Sequence, residues 1–208
     1  MSDVHLPLIL GALFVAAASP GPATMAIAGT SMASGRRMGM TLGLGVFCGS
    51  VTWSFAAAFG LAAVMLAHAW VFEVMRYIGA AYLLYLAVWS AKAAWSGNEA
   101  RTATPISISS PWKAFRNGLA LHITNPKAIL FYGSVYSIGL PTDTTPQQLA
   151  TVMASLAATS FTIFIGYGWL FSIPKVRSVY GRTSRWFNGA FALLFGVVGI
   201  KLLTTRII

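Results

Sequence analysis

Between Met40 and Ala67 the chain carries no charged residue. About 20 apolar residues in a helix cross the hydrocarbon core of a bilayer, so this stretch alone spans one with residues to spare. The rest of the sequence is written the same way. Of its 208 residues 57% are hydrophobic and only 9% charged, against roughly 25% charged in a soluble domain. So few charges cannot clothe a water-facing surface, and lipid must cover much of the outside. The same numbers exclude a disordered polar chain.

Six apolar stretches emerge. The first runs from about Leu6 to Ser31 and is interrupted at Pro20-Gly21-Pro22. The second is the uncharged one. The third covers about Tyr77 to Trp95, and the fourth about Gly118 to Leu140 with an interruption at Asn125-Pro126. The fifth covers about Gln148 to Ile173 and the sixth about Trp186 to Leu203. The expected fold is an all-α polytopic membrane protein of six transmembrane helices, in a single domain covering 1–208.

The formal net charge of +10 does not point to nucleic acid, because the basic residues sit between apolar stretches, as topology signals do. Arg36 and Arg37 occupy the first connection. Lys92, Arg101, Lys113 and Arg116 flank the third, and Lys175, Arg177, Arg182 and Arg185 lie in the fifth. Basic loops stay in the cytoplasm, so loops one, three and five are expected there and both termini outside, in a bacterial-type inner membrane. The N-terminal run has Asp3 and no Lys or Arg, unlike a signal peptide, and reads as a retained helix.

The two halves resemble each other. Both have a proline break in their first span. Arg76-Tyr77-Ile78-Gly79-Ala80 resembles Arg185-Trp186-Phe187-Asn188-Gly189-Ala190, and Arg76 precedes Lys92 by the same spacing as Arg185 precedes Lys201. Three spans per half invert the second half in the membrane, the architecture of many secondary transporters. Repeat one covers about 1–95, a Ser/Thr/Pro/Ala-rich linker about 96–111, and repeat two about 112–208.

A proline within a span removes a donor and frees a carbonyl, which in lipid needs another partner. The half-helix after a break presents N–H groups and a positive dipole end that suit an anion such as a carboxylate. Pro20, Gly21, Pro22 and Thr24 at the first break, with Asn125, Pro126 and Lys127 at the second, are the candidate substrate-binding residues. Lys127 either lies at depth facing the interior or snorkels to the interface. Thr124 and Ser31 offer further hydroxyls, although satisfying a carbonyl of its own helix is the commoner role for any one hydroxyl. Glu73 and Arg76, one turn apart, read as an interfacial ion pair. No carboxylate falls in the middle of a span, which favours a neutral over a cationic substrate.

Other residues read more plainly. Gly39, Gly43, Gly45 and Gly49 permit close helix contact, within the chain first and in a homodimer second. Trp70, Trp95, Trp112 and Trp186 sit at span ends as interfacial anchors. Cys48 reads as a packing residue. His5, His68 and His122 match no metal spacing, and neither a metal nor another cofactor is expected.

Together these motifs resemble the LysE/RhtB family of amino-acid exporters. Ser19-Pro20-Gly21-Pro22 and Gly35-Arg36-Arg37-Met38-Gly39 carry the likeness in the first half, with Gly79-Ala80-Ala81-Tyr82-Leu83-Leu84-Tyr85-Leu86. Phe115-Arg116-Asn117-Gly118, Thr124-Asn125-Pro126-Lys127-Ala128 and the stretch from Asn188-Gly189-Ala190 through Gly199-Ile200-Lys201-Leu202 carry it in the second. The resemblance implies six spans, export of amino acids or close analogues, protons as the coupling ion and oligomerisation. The chain departs from the family at Phe131-Tyr132-Gly133-Ser134-Val135-Tyr136, where a Phe-rich run ending in Pro-Gln-Phe is common. Two other classes remain: an intramembrane enzyme, for which His122 and Ser134 are too isolated, and a membrane scaffold, which predicts Asn125 and Pro22 facing lipid.

Overall fold

The computed structural model describes residues 4, 6–19, 21–61, 77, 80–81, 84–85, 87–88, 90–92, 94–95, 108–138, 140 and 144–204. Among these residues there are helices and no strand. We number the helices α1 (Leu6–Ala18), α2 (Pro22–Ser34), α3 (Arg36–Ala56, continued by a π-helical turn Ala57–Leu61), α4 (Pro111–Ile123), α5 (Pro126–Ile138), α6 (Pro146–Leu170) and α7 (Pro174–Thr204). The described positions between 77 and 95 are also helical.

Five of the seven helices begin on a proline. Its fixed φ suits the first helical position, where the missing N–H costs nothing, and its ring prevents the preceding helix from running on. The prolines therefore cut the apolar stretches into these pieces. At α6 the start is reinforced by a reciprocal cap: Gln148 N–H donates to Thr145 Oγ1 (3.3 Å) and Thr145 N–H to Gln148 Oε1 (2.8 Å). Gly35, at φ 84°, makes the turn from α2 into α3, a left-handed conformation that suits glycine.

The described part of the uncharged second stretch lies in α3 and its π turn, which together are long and apolar enough to cross a membrane, as is α6. The pair α1 and α2, bent by 52°, becomes a third candidate when taken as one broken span. Two boundaries differ from expectation. α4 begins at Pro111 rather than near Gly118, so Lys113 and Arg116 lie on its first turns. α7 begins at Pro174 rather than near Trp186, so the basic cluster of the fifth connection is helical. Hydropathy marks where lipid begins, whereas proline marks where a helix begins, and the two need not coincide.

α3 is the central helix and packs mainly on α4 and α6. Its glycines make this possible. A Cβ at Gly43 would lie 2.7 Å from the Phe164 carbonyl oxygen, and one at Gly45 would collide with the Phe115 carbonyl. Gly118 in turn abuts the Leu42 carbonyl. All four spacing glycines of α3 are thus used within the chain, as small-residue helix contacts predict. Ile27, Leu42, Val46, Val152 and Leu156 form the fully buried centre. α7 packs on the helical positions of the third stretch, with Ala87 against Phe195.

The outer surface is apolar where a soluble protein would be polar: Phe14, Phe59 and Leu193 are 59%, 63% and 72% exposed. Trp95, Trp112 and Trp186 are exposed too, in keeping with interfacial anchors. Trp70, Glu73 and Arg76 lie outside the described residues.

Candidate functional site

The first break separates α1 from α2. Pro20 lies outside the described residues, but its neighbours show how the freed backbone is satisfied. Gly21 N–H donates to Thr24 Oγ1 at 3.0 Å, and the Thr24 hydroxyl lies within reach of the carbonyls of Gly21 (3.2 Å) and Ser19 (3.3 Å). From α6, Tyr167 Oη donates to the Ala18 carbonyl at 2.6 Å. Ser19 Oγ is within reach of the Ala16 carbonyl at 2.9 Å. Ser19, Gly21 and Thr24 are buried.

The second break separates α4 from α5 by Thr124 and Asn125. Asn125 caps α5 twice: its Oδ1 accepts Lys127 N–H at 3.0 Å, and its carbonyl accepts Ala128 N–H at 3.0 Å and Ile129 N–H at 3.2 Å. The first-turn N–H groups of α5 are therefore engaged within the chain. What the second break presents is the helix dipole and the charge of Lys127. Thr124 is exposed and its hydroxyl bonds the Ala120 carbonyl of its own helix at 2.9 Å. Ser31 bonds the Ile27 carbonyl (2.8 Å) and reaches the Gly168 carbonyl (3.0 Å), tying α2 to α6.

Lys127 turns inward. Its Nζ donates to Ser19 Oγ across the gap between the breaks. It lies 5.4 Å from the centroid of the Phe195 ring, within cation–π range. A Cβ at Gly21 would lie 3.5 Å from that nitrogen, so the ammonium faces bare backbone. Of the two readings of Lys127, this geometry favours the interior one.

The ammonium stands in a cavity of about 40 Å³ lined by Ser19, Gly21, Thr24, Asn125 and Lys127, with Ser50, His122 and Tyr132 completing its polar wall. Leu13, Phe131 and Phe164 are among its apolar walls. Four candidates from the sequence thus meet here. Pro22 and Pro126 are exposed and do not line the cavity; they begin the two helices whose ends form it.

The sequence reading missed the far wall. His122 is 5% exposed, its Nε2 lies 2.9 Å from Ser50 Oγ, and its Nδ1 has no hydrogen-bond partner among the described residues. Tyr132 Oη lies 3.2 Å from Ser160 Oγ. Ser50 and Tyr132 also border a second cavity, of about 180 Å³, with Ser54, Phe55, Met153 and Ala157. These residues come from α3, α4, α5 and α6, far apart in sequence. The signal in the sequence was Gly49: a Cβ there would lie 2.8 Å from His122 Cβ.

No group of His, Cys, Asp or Glu among the described residues could hold a metal ion. Among the described residues the cavity lining contains one ammonium and no carboxylate, an arrangement suited to an anionic group on an otherwise uncharged molecule.

The family model for LysE type translocators matches residues 14–206. The chain is 33% identical to the uncharacterized membrane protein YahN of Escherichia coli (strain K12), over 98% of this chain and 91% of that one. It is 28% identical to the threonine efflux protein of Salmonella typhi, over 92% and 94%. It is 31% identical to the leucine efflux protein of Enterobacter sp. (strain 638), over 90% and 89%. No solved structure matches the chain.

Proposed function

This chain belongs to the LysE type translocator family, and from that premise we propose that it exports amino acids or close analogues across a bacterial inner membrane, driven by the proton gradient. As a translocator it is a transporter and not an enzyme. Relatives named as threonine and leucine efflux proteins support an amino acid, and a cavity lining with no carboxylate among the described residues supports one with an uncharged side chain.

The observation that carries the reading is Lys127 Nζ reaching Ser19 Oγ between the two breaks. A substrate carboxylate takes the place of that hydroxyl on the ammonium. In a water-poor cavity a charge-assisted bond is roughly twice as strong as a neutral one. Thr24 and Asn125 hold the breaks in shape around it. Pro20, Gly21, Pro22 and Pro126 make the breaks: the prolines end the incoming helices and Gly21 admits the ligand close to backbone.

The cavity of about 40 Å³ has room for a few waters and not for an amino acid. Binding must part the elements that close it. Six spans in two inverted halves, about 1–95 and 112–208 joined by the linker 96–111, would do this by rocking about the central site. Loops one, three and five then face the cytoplasm and both termini face outward. Since the glycines of α3 serve packing within the chain, a homodimer would use another surface.

A scaffold needs no inward polar site. Asn125, at 5% exposed, lines the cavity rather than facing lipid, which favours transport, although Pro22 is exposed.

The test is efflux from preloaded, energised vesicles across a panel of amino acids, with and without a protonophore. Export of one or a few that collapses with the gradient is expected. No export of any, from protein shown to be folded in the membrane, would refute the reading.

A further inference from the structure

Proton-driven export requires that substrate and proton exclude each other at the site, so that one travels out as the other travels in. A proton on Lys127 has the opposite effect, because the ammonium is what attracts the substrate carboxylate. Tyr132 is a phenol whose ordinary pKa, about 10, lies far from physiological pH. The four acidic residues of the chain, Asp3, Glu73, Glu99 and Asp143, lie outside the described residues. Among the described residues of the wall, the remaining titratable group is His122.

Its surroundings fit the task. The Cδ2 edge of the ring packs toward Gly49, where a Cβ would lie 3.2 Å away, and Nε2 reaches Ser50 Oγ at 2.9 Å. The Phe164 ring stands edge-on at 5.5 Å. Nδ1, on the edge opposite Cδ2, is buried and has no partner. When Nε2–H donates to Ser50, Nδ1 carries a lone pair, since a neutral imidazole has one donor and one acceptor. Among the groups facing His122, α5 contributes Lys127 and Tyr132, α3 the neutral Ser50, and α6 the Phe164 ring.

We propose that His122 is the exchange residue of the transporter: its Nδ1 accepts a hydrogen bond from the substrate ammonium while Lys127 holds the carboxylate, and a proton competes for the same lone pair. This rests on the export reading and adds its coupling site. Loading from the cytoplasm requires neutral His122. Release outside is followed by protonation of Nδ1 from the outer face, which bars rebinding, and the proton leaves to the cytoplasm after the return. One lone pair serves both ligands in turn, so neither can be carried with the other.

The experiment uses the purified full chain in liposomes, with leucine and threonine as probes. Counterflow of labelled probe against unlabelled probe without a gradient reports binding and passage; accumulation under an imposed pH gradient reports coupling. In the wild type the counterflow KM rises toward tenfold per pH unit below the titration of the site. His122→Gln keeps a hydrogen-bonding side chain but cannot titrate in this range. Its counterflow KM should lie above that of the wild type at pH 8, for want of the Nδ1 partner, and stay constant within about twofold from pH 5.5 to 8, while gradient-driven accumulation disappears. Gradient-driven accumulation by His122→Gln would overturn the proposal and leave the export reading intact.

Should His122→Gln lose counterflow altogether, Ser50→Ala decides. Loss of the Nε2 partner should move the pH midpoint of the wild-type profile by about one unit, and an unmoved midpoint refutes the assignment. If the folded wild type shows no counterflow with any amino acid, the export reading fails and this one with it.

Discussion

Lys127, at the start of α5, donates a hydrogen bond to the hydroxyl of Ser19 at the end of α1, a residue 108 positions earlier in the chain. That contact joins two proline breaks that the sequence can only place in parallel. It explains why a lysine is tolerated beside an apolar run: the charge turns into a polar cavity between helix ends rather than into lipid. Its hydroxyl partner is neutral, so the charge remains available to an anion.

Lys127→Ala and Asn125→Ala should reduce export to background while both proteins still insert. The first removes the charge, worth roughly 10- to 100-fold in binding for a charged hydrogen bond. The second removes the cap that fixes the start of α5, at about 1 kcal/mol of stability, and lets Lys127 leave its position. Efflux assays beside membrane quantification check this; normal export by both variants would remove the site assignment.

Thr24→Val should be worse than Thr24→Ser. Valine keeps the shape but leaves the Gly21 N–H without its partner, at a cost of about 1–3 kcal/mol for a buried donor. Serine retains the bond. Thermal unfolding in detergent and transport rate should fall together for valine and stay near wild type for serine.

Gly45→Ala should destabilise the protein, because the added methyl collides with the Phe115 carbonyl. Overpacking of this kind costs typically 1–3 kcal/mol. Gly11→Ala is the control, since nothing lies within 4 Å of the added carbon. Equal unfolding temperatures for the two variants would contradict the close packing of α3 on α4.

The orientation can be checked with cysteines in a Cys48→Ser background. Arg37→Cys, in the exposed first turn of α3, should react from the cytoplasmic side only. Gln147→Cys, in the exposed first turn of α6, should react from outside only. The reverse pattern would invert the topology.

Much of the fold was legible in sequence because lipid and proline each leave a local mark. The missing charges of residues 40–67 announced a membrane helix, and Pro22 and Pro126 announced the helix starts on which the site is built. Lys127 was legible as a charge out of place, yet its direction was not, since depth depends on what the neighbouring helices leave open. Asn125 was expected at the substrate site; it lines the cavity, and its Oδ1 also caps α5, which the sequence did not announce. Ser50, His122 and Tyr132 were invisible as a group. Each is an ordinary residue on a separate helix, and only the approach of α3 to α4 at Gly49 brings them to one wall. Arg76 and Ile78 lie outside the described residues, so the likeness of Arg76-Tyr77-Ile78 to Arg185-Trp186-Phe187 stands on sequence alone.

The central claim is that the Lys127 ammonium holds the carboxylate of an amino acid between the two breaks. The direct measurement is inhibition of counterflow in liposomes by an exported amino acid and by its carboxamide, which lacks the anion. The wild type should prefer the free acid by roughly 10- to 100-fold, and Lys127→Gln should bind both alike. A Lys127→Gln protein that still discriminates as the wild type does would contradict the account.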